Sequence, residues 1–245
     1  MTTAAQLIGQ GIYSIPEVGQ IIHAQPRSIR RWINGYEHSR SKIFSTPVLP
    51  SKVLKIEGEE VITFQQMIEI LFINLFRKYG ISMPTIRAAA KQASLDFSTE
   101  HPFAIHQLKT DGKSIFSITR SELERYSPDD GDEVTERQLL KDLAMGQYVI
   151  ARFAEPYFKK IDYGPLEAVR YWPQGNDRSV VIDPARSFGR PIDSKSGVPT
   201  KAVYDMYKAG DDIPTISAWY RMEVAAVADA IDFEKSLSYN TPLPA

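Results

Sequence analysis

The segment from Thr63 to Tyr79 is apolar around nearly its whole circumference. Its large hydrophobic side chains are Met67, Ile68, Ile70, Leu71, Phe72, Ile73, Leu75 and Phe76. A helix with this pattern must be covered by other parts of the chain on most of its sides. The sequence therefore predicts a buried helix that begins after an N-cap at Thr63 and ends at Gly80, with other elements packed around it.

Charge is distributed unevenly along the 245 residues, although the net charge is only −1. The basic residues of segment 1–55 are Arg27, Arg30, Arg31, Arg40, Lys42, Lys52 and Lys55, against the acidic Glu17 and Glu37. That segment carries 7 − 2 = +5, so the remaining residues carry −6. A locally basic region, more than the total charge, steers a polyanion such as DNA to a site.

Cysteine is absent from the sequence, which excludes disulfide scaffolds and cysteine-ligated zinc. The sequence contains no apolar run that approaches the roughly 18 residues of a membrane span. It also starts without the basic and apolar regions of a signal peptide. We therefore expect a soluble cytoplasmic protein that makes no membrane contact.

The segment from Tyr13 to Tyr36 predicts two short helices joined by a tight turn. Ser14 is placed to cap the first helix, and Pro26 opens the second. Apolar residues recur at helical spacing in both, as Ile15, Val18, Ile21 and Ile22 in the first and as Ile29, Trp32 and Ile33 in the second.

The second of these helices has a basic face. The side chains that point away from its apolar face are Arg27, Ser28, Arg30 and Arg31. This is the layout of a helix-turn-helix, in which the second helix enters the major groove and its side chains reach bases and phosphates. A basic face that is merely solvated is the competing interpretation.

A short hairpin is predicted next, with strands near residues 53–56 and 61–62 around the turn Glu57-Gly58-Glu59. A wing would follow a helix-turn-helix at this point. Arg40 and Lys42, on the approach to the hairpin, are candidates for contacts with DNA phosphates, and an ordinary solvated loop is the alternative. After the buried helix, a further helix is predicted from Ser82 to about Leu95.

This order of elements, together with the phrase IPEVGQIIHAQPRSIRRW, resembles the MerR-like winged helix-turn-helix over roughly residues 10–98. The phrase GISMPTIRAAA is similar to the helix that follows the wing in that family. The resemblance implies that Arg27, Ser28, Arg30 and Arg31 lie on the recognition helix, with Arg40 and Lys42 on the wing approach.

Residues 99–165 predict a connector that is also a candidate dimerisation region. Asp111-Gly112 between alternating apolar residues predicts a hairpin, and the acidic stretch 127–133 predicts a linker. A long helix is predicted from Glu133 to near Tyr163, with a kink at Pro156.

Residues 166–245 predict a small helical domain. Short strands are expected at 168–172 and 179–182, followed by a helix that Thr200 caps and Gly210 ends. A second pair of short helices follows, with apolar positions at Ile213, Ile216 and Trp219 and then at Val224, Val227, Ile231 and Phe233. The last helix is predicted to expose Glu223, Asp229, Asp232 and Glu234. Phosphate would repel such a face, so this pair is interpreted as a packing or partner-binding unit.

The phrases VVIDPARSFGRPI, GVPTKAVYDMYKAGDDIPTISAWY and AIDFE, within residues 178–236, resemble a small domain of unknown function in bacterial antitoxin-like proteins. A MerR-like unit joined to this domain resembles a VapB-type antitoxin, which implies a PIN-domain ribonuclease toxin as partner. The chain departs from the usual VapB plan, because the residues after Lys235 contain no Arg or Lys that would lie across an acidic toxin site.

The sequence contains no recognisable catalytic motif. A P-loop, a dinucleotide-binding glycine pattern and a nucleophile elbow are all missing. His101 and His106, even with Asp111, lack a metal-ligand spacing, so neither a metal nor a cofactor is expected. The tryptophans are interpreted as core anchors because they fall at apolar-face positions, namely Trp32, Trp172 and Trp219.

These features predict a mainly α fold of the α+β class with three parts: a winged helix-turn-helix at 1–98, a middle hairpin and long helix at 99–165, and a small helical domain at 166–245. The predicted protein is a non-enzymatic, homodimeric repressor that binds its own operator in double-stranded DNA. The resemblance to VapB-type antitoxins implies that it also serves as the antitoxin of a type II toxin-antitoxin pair. The alternative is a protein-interaction module without DNA binding, whose basic helix docks an acidic partner.

Overall fold

The computed structural model describes residues 9–37, 44–106, 108 and 136–238, and it shows the predicted α+β mixture. Its first elements are β1 (Ile12–Ser14), α1 (Ile15–Ile21), α2 (Pro26–Asn34), β2 (Tyr36–Glu37), β3 (Phe44–Ser45), β4 (Leu54–Ile56), β5 (Glu59–Thr63), α3 (Phe64–Lys78) and α4 (Met83–Asp96). The later ones are α5 (Glu136–Phe153), α6 (Glu155–Phe158), β6 (Ile161–Tyr163), β7 (Ala168–Tyr171), β8 (Val180–Ile182), a 3₁₀ turn (Ser187–Gly189), β9 (Pro191–Asp193), α7 (Thr200–Ala209), α8 (Ile213–Tyr220) and α9 (Val224–Ser238).

Helix α3 lies inside the main core, and its prediction is confirmed. The Thr63 hydroxyl accepts a hydrogen bond from the Gln66 N–H, and the Thr63 N–H donates to the Gln66 side chain. Of its 15 residues, 11 are buried. The ring of Phe72 packs 5.2 Å from the ring of Phe158, so residues far apart in the chain close over the same helix.

One charged side chain, Glu69, lies within this apolar helix and is fully buried. Its Oε2 atom is 2.9 Å from Nδ1 of His101. Burial raises the pKa of Glu69 against the opposing effect of that hydrogen bond. Burial also acts to lower the pKa of His101, but the hydrogen bond and the charge of Glu69 outweigh it and raise that pKa. The histidine therefore gives a partner to a carboxyl that would be costly to bury alone.

A three-stranded antiparallel sheet in the order β1-β5-β4 holds the N-terminal helices against α3. The hairpin of β4 and β5 was predicted and is confirmed, with Leu54 opposite Val61. Strand β1 was not predicted, and it places Ser14 opposite Val61 on the other edge of β5. Because α1 follows β1 directly and α3 follows β5 directly, one small sheet positions the start of both helices.

The long helix predicted from Glu133 to Tyr163 is shorter in the structure. Helix α5 ends at Phe153, the single-turn helix α6 contains Pro156, and the chain then enters strand β6. Proline removes a backbone donor and clashes with the preceding turn, which explains the break. Of the predicted hairpin around Asp111-Gly112, only residues 103–106 and 108 are described. They are not a strand, although Ile105 forms a bridge with Glu167. The predicted linker at 127–133 lies outside the described residues.

The C-terminal strands form a four-stranded antiparallel sheet in the order β6-β7-β8-β9. The predicted strands at 168–172 and 179–182 are confirmed as β7 and β8, whereas β6 and β9 were missed. Both missed strands have three residues and include an aspartate, whereas the equally short β8 is a continuous apolar run, which is the stronger strand signal.

Two predictions for the C-terminal helices were wrong. Pro199, not Thr200, occupies the N-cap of α7, and the buried Thr200 hydroxyl instead donates to Oε1 of Glu234 at 2.5 Å. Trp219 is 73% exposed and is no core anchor, whereas Trp32 is buried as predicted. Trp172 is half-buried, with its Nε1–H donating to Asp162 at 3.0 Å.

The acidic face predicted for α9 is only half correct. Glu223 and Asp232 are exposed, but Asp229 and Glu234 are buried. Asp229 accepts hydrogen bonds from the Ser179 N–H at 2.8 Å and from Arg178 at 2.9 Å. Its carboxylate therefore joins α9 to the residues that directly precede β8, and does not face solvent.

The buried apolar residues form two clusters. The larger runs from Tyr13 to Ile182 and includes the faces of α1 to α5, and the smaller joins α7, α8 and α9 through residues such as Val203, Ile216 and Val227. The division at 1–98, 99–165 and 166–245 stays a prediction. Among the described residues, no helix combines the length and the apolar character needed to cross a membrane.

Replacing His101 with alanine should lower the free energy of unfolding by about 3 kcal/mol, because the Glu69 carboxyl would stay in the core without its partner. Urea titration followed by circular dichroism measures this loss. A double variant that also carries Glu69→Leu should recover most of it, since the unpaired acid is then gone. An equal loss in both variants would contradict the pairing.

Candidate nucleic-acid interface

Helices α1 and α2 form a tight pair joined by residues 22–25. Ser14 caps α1 through a reciprocal contact, in which the Ser14 hydroxyl accepts from the Glu17 N–H at 3.3 Å and the Ser14 N–H donates to the Glu17 carboxylate at 2.7 Å. Pro26 lies in the first turn of α2. Both helix starts agree with the sequence prediction.

Gly19 allows α2 to begin directly against α1. A Cβ atom at this position would lie 2.7 Å from the Ala24 carbonyl oxygen and 3.2 Å from Cγ of Pro26. The sequence prediction missed this residue. A glycine within a short helix looks like a weak helix former, and the close approach of the following turn becomes visible only in the fold.

The two faces of α2 differ sharply in exposure. The buried side chains are Ile29, Trp32 and Ile33, the exposed ones are Arg27, Arg30 and Arg31, and Ser28 is half-buried. Within the part of the chain that the structure describes, Arg27 and Arg30 make neither an ion pair nor a hydrogen bond, so their guanidinium groups are available for an outside partner. The guanidinium carbon of Arg31 lies 4.4 Å from the ring centroid of Tyr36, a cation–π contact that limits where it can point.

The far end of α2 is fixed by contacts with residues distant in sequence. The Trp32 carbonyl accepts a hydrogen bond from the Val48 N–H at 2.8 Å. The Asn34 amide donates to both oxygens of Glu60 in β5, at 2.9 and 3.0 Å. The basic face is therefore carried by a helix held at both ends, as a preorganised recognition surface requires.

Arg40 and Lys42, the two residues predicted on the wing approach, lie outside the described residues. They fall between Glu37 and Phe44, which pair with each other across strands β2 and β3. Their contact with DNA stays a prediction.

The histidines considered as metal ligands have other contacts. His101 pairs with Glu69, and the His106 ring packs 5.5 Å from the ring of Tyr163. Asp111 lies outside the described residues. Among the described residues, no group of three or more histidine, aspartate or glutamate side chains is placed to hold a metal ion.

Part of this chain is similar to a described protein family. Residues 180–233, from β8 to within α9, match the family described as "Protein of unknown function (DUF433)". The match covers the C-terminal region that the sequence analysis compared with a domain of unknown function in antitoxin-like proteins. It does not include α1 and α2.

The similarity to individual proteins extends over more of the chain. It is 26% identical over 240 residues to "Putative antitoxin VapB45" of Mycobacterium tuberculosis, covering 90% of this chain and 92% of that protein. The crystal structure of Rv2018 from Mycobacterium tuberculosis resembles this fold with a TM-score of 0.63 and 20% identity, covering 90% of this chain and 97% of that one. The second likeness concerns the fold alone.

Replacing Gly19 with alanine should destabilise the protein by about 1 to 3 kcal/mol, because the added methyl group would overpack the α1–α2 turn. Helix propensity alone predicts that Gly19→Ala stabilises the protein, since alanine is more favourable than glycine within a helix by about 1 kcal/mol. Thermal unfolding followed by circular dichroism distinguishes the two. A melting temperature equal to or above that of the wild type would contradict the close approach of Ala24.

Proposed function

We propose that this protein is a transcriptional repressor that binds its own operator, and that it is the antitoxin of a type II toxin-antitoxin pair. In this proposal it acts in the cytoplasm as a homodimer and neutralises a PIN-like ribonuclease toxin. The observation that carries the DNA-binding half is the exposed set Arg27, Arg30 and Arg31 on a helix whose opposite face is buried.

Arginine on such a helix suits both kinds of DNA contact. Its planar guanidinium donates two parallel hydrogen bonds to O6 and N7 of guanine in the major groove, and it also pairs with phosphates. Arg27 and Arg30, near the start of α2, are proposed to reach bases, and Ser28 is proposed to contact the backbone. The β4–β5 hairpin is proposed to act as the wing, with Arg40 and Lys42 beside it on phosphates.

A homodimer follows from the small size of this surface. One helix of nine residues reads only a few base pairs. Two copies related by a two-fold axis would read half-sites one helical turn apart and multiply the specificity. The operator is therefore expected to be a palindrome.

The antitoxin half rests on similarity. The relative that covers 90% of this chain is named as a putative antitoxin, and the match extends well beyond the DUF433 region. A PIN-like toxin is the partner implied by the resemblance to two-module VapB antitoxins. In such pairs one chain restrains the other by binding, so an enzymatic activity of this chain is not part of the proposal.

Replacing Arg27, Arg30 and Arg31 together with alanine should abolish specific binding to the promoter of the protein's own gene. Each arginine that contacts a base should contribute about 1 to 3 kcal/mol. Gel-shift titration over a range of salt concentrations measures both the affinity and its salt slope. The slope should become less steep by about one for each phosphate contact removed.

The matched control replaces three exposed lysines on other helices, Lys78, Lys91 and Lys141, with alanine. It removes the same charge, so it should leave specific binding nearly unchanged. Equal binding by the wild type and the arginine variant would contradict the assignment of α2. Binding that ignores salt, or that requires a protein partner, would favour the interaction module without DNA binding.

The neighbouring gene should arrest growth when it is expressed alone. Co-expression of this chain should restore growth. The physical reason is that a bound antitoxin lowers the concentration of free toxin. Co-purification followed by size-exclusion chromatography tests for the complex directly. A harmless neighbouring product, or one that does not bind, would contradict the antitoxin half and leave the DNA-binding half standing.

A further inference from the structure

A cleft of about 740 Å³ lies between the N-terminal helix α1 and the C-terminal helices α7 and α9. Its volume falls within the range of sites that enclose a drug-sized group. Tyr13 and Ile21 line one side, and Pro191 and Tyr204 line the other. The proposed DNA contacts on α2 do not involve any of these residues.

Phe188, at the edge of the cleft, is held outward in an unfavourable backbone conformation. Its side chain is 77% exposed, and its φ angle is 57°. A bulky residue rarely adopts this left-handed conformation, and such strain concentrates at functional sites. The neighbouring Gly189 carbonyl accepts a hydrogen bond of 2.8 Å from the Tyr13 hydroxyl, which fixes the turn. The fold therefore keeps an aromatic ring at the surface, although burying the ring would be more favourable.

Two cations face the same cleft with no acidic partner. Among the described residues, neither Arg190 nor Lys208 forms an ion pair. Lys208 lies over the ring of Tyr204, with its Nζ atom 5.8 Å from the ring centroid. A third cation, Lys201, is already paired with Asp205 at 2.6 Å.

The carboxylates that line the cleft are occupied by the protein itself. Glu17 accepts a hydrogen bond from the Ser14 N–H, and Glu234 accepts one from the Thr200 hydroxyl. Among the described residues, neither carboxylate forms an ion pair with Arg190 or Lys208.

We propose that this cleft is the surface by which the protein holds its toxin. The occupant is an acidic segment of the partner that carries an aromatic or aliphatic side chain. That side chain packs between Phe188 and Tyr204, and the carboxylates beside it pair with Arg190 and Lys208. A partly apolar cleft with an exposed aromatic anchor and a basic rim complements such a segment. The inference rests on the antitoxin half of the proposed function.

The test uses the full chain and the purified product of the neighbouring gene in isothermal titration calorimetry. Phe188→Ala, and separately the pair Arg190→Glu with Lys208→Glu, should each weaken binding about tenfold or more. Matched controls are Leu166→Ala, which is 69% exposed, and the pair Lys91→Glu with Lys141→Glu. The controls should bind like the wild type, and all variants should retain operator binding.

A second variant separates binding from folding. Phe188→Gly should melt at or above the wild-type temperature, because glycine adopts a φ of 57° without strain. It should nevertheless bind the toxin as weakly as Phe188→Ala. Stability that is kept while binding is lost identifies Phe188 as a contact with the partner.

Three outcomes overturn the inference, and they differ in what else they affect. Wild-type binding by Phe188→Gly and by the charge-reversal pair refutes the cleft and leaves the antitoxin function intact. Loss of operator binding in these variants, with toxin binding unchanged, assigns the cleft to DNA. If the wild-type chain does not bind the neighbouring product at all, the proposed antitoxin function fails and this inference fails with it.

Discussion

The burial of helix α3 is the constraint on which the rest of the structure depends. A helix that is apolar on every side cannot lie at a surface, so residues from Tyr13 to Ile182 close around it. Its one buried acid, Glu69, would make this arrangement costly without a partner. His101 supplies that partner from beyond the end of α4, and the Phe103 N–H donates to the other carboxylate oxygen at 3.5 Å.

The presentation of α2 follows from the same packing. Helix α1 begins at the end of β1, and α3 begins at the end of β5. The same small sheet therefore orients the α1–α2 pair and positions α3 in the core. Trp32 enters the core and takes the apolar side of α2 with it, which leaves Arg27 and Arg30 on the opposite side. Burial of the apolar side fixes the rotation of α2 about its axis. The arginines on the opposite side therefore face outward without any contact that holds them there.

Features governed by local rules were predictable from the sequence, and features governed by distant partners were not. The helix caps at Ser14, Thr63 and Ser82, the β4–β5 hairpin and the alternation of faces on α2 each depend on residues within one or two turns. Thr200 looked like a cap, but its hydroxyl serves Glu234, 34 residues away. Asp229 looked solvated, but it binds Ser179, 50 residues away. For Trp219, periodicity predicted a buried face, but no other element in the described part of the chain covers it. Gly19 belongs with these cases because its role appears only when α2 lies beside it.

The hydrogen bond between Tyr13 and Gly189 joins residues that are 176 positions apart. A Cβ atom at position 189 would lie 2.3 Å from the Tyr13 hydroxyl oxygen and 2.9 Å from Cα of Gly11. Any exchange of C-terminal segments between related chains must therefore preserve this fit on both sides. The segment 180–233, to which the DUF433 match is confined, is thus fitted to the N-terminal strand of this chain, and a side chain at position 189 would disturb both.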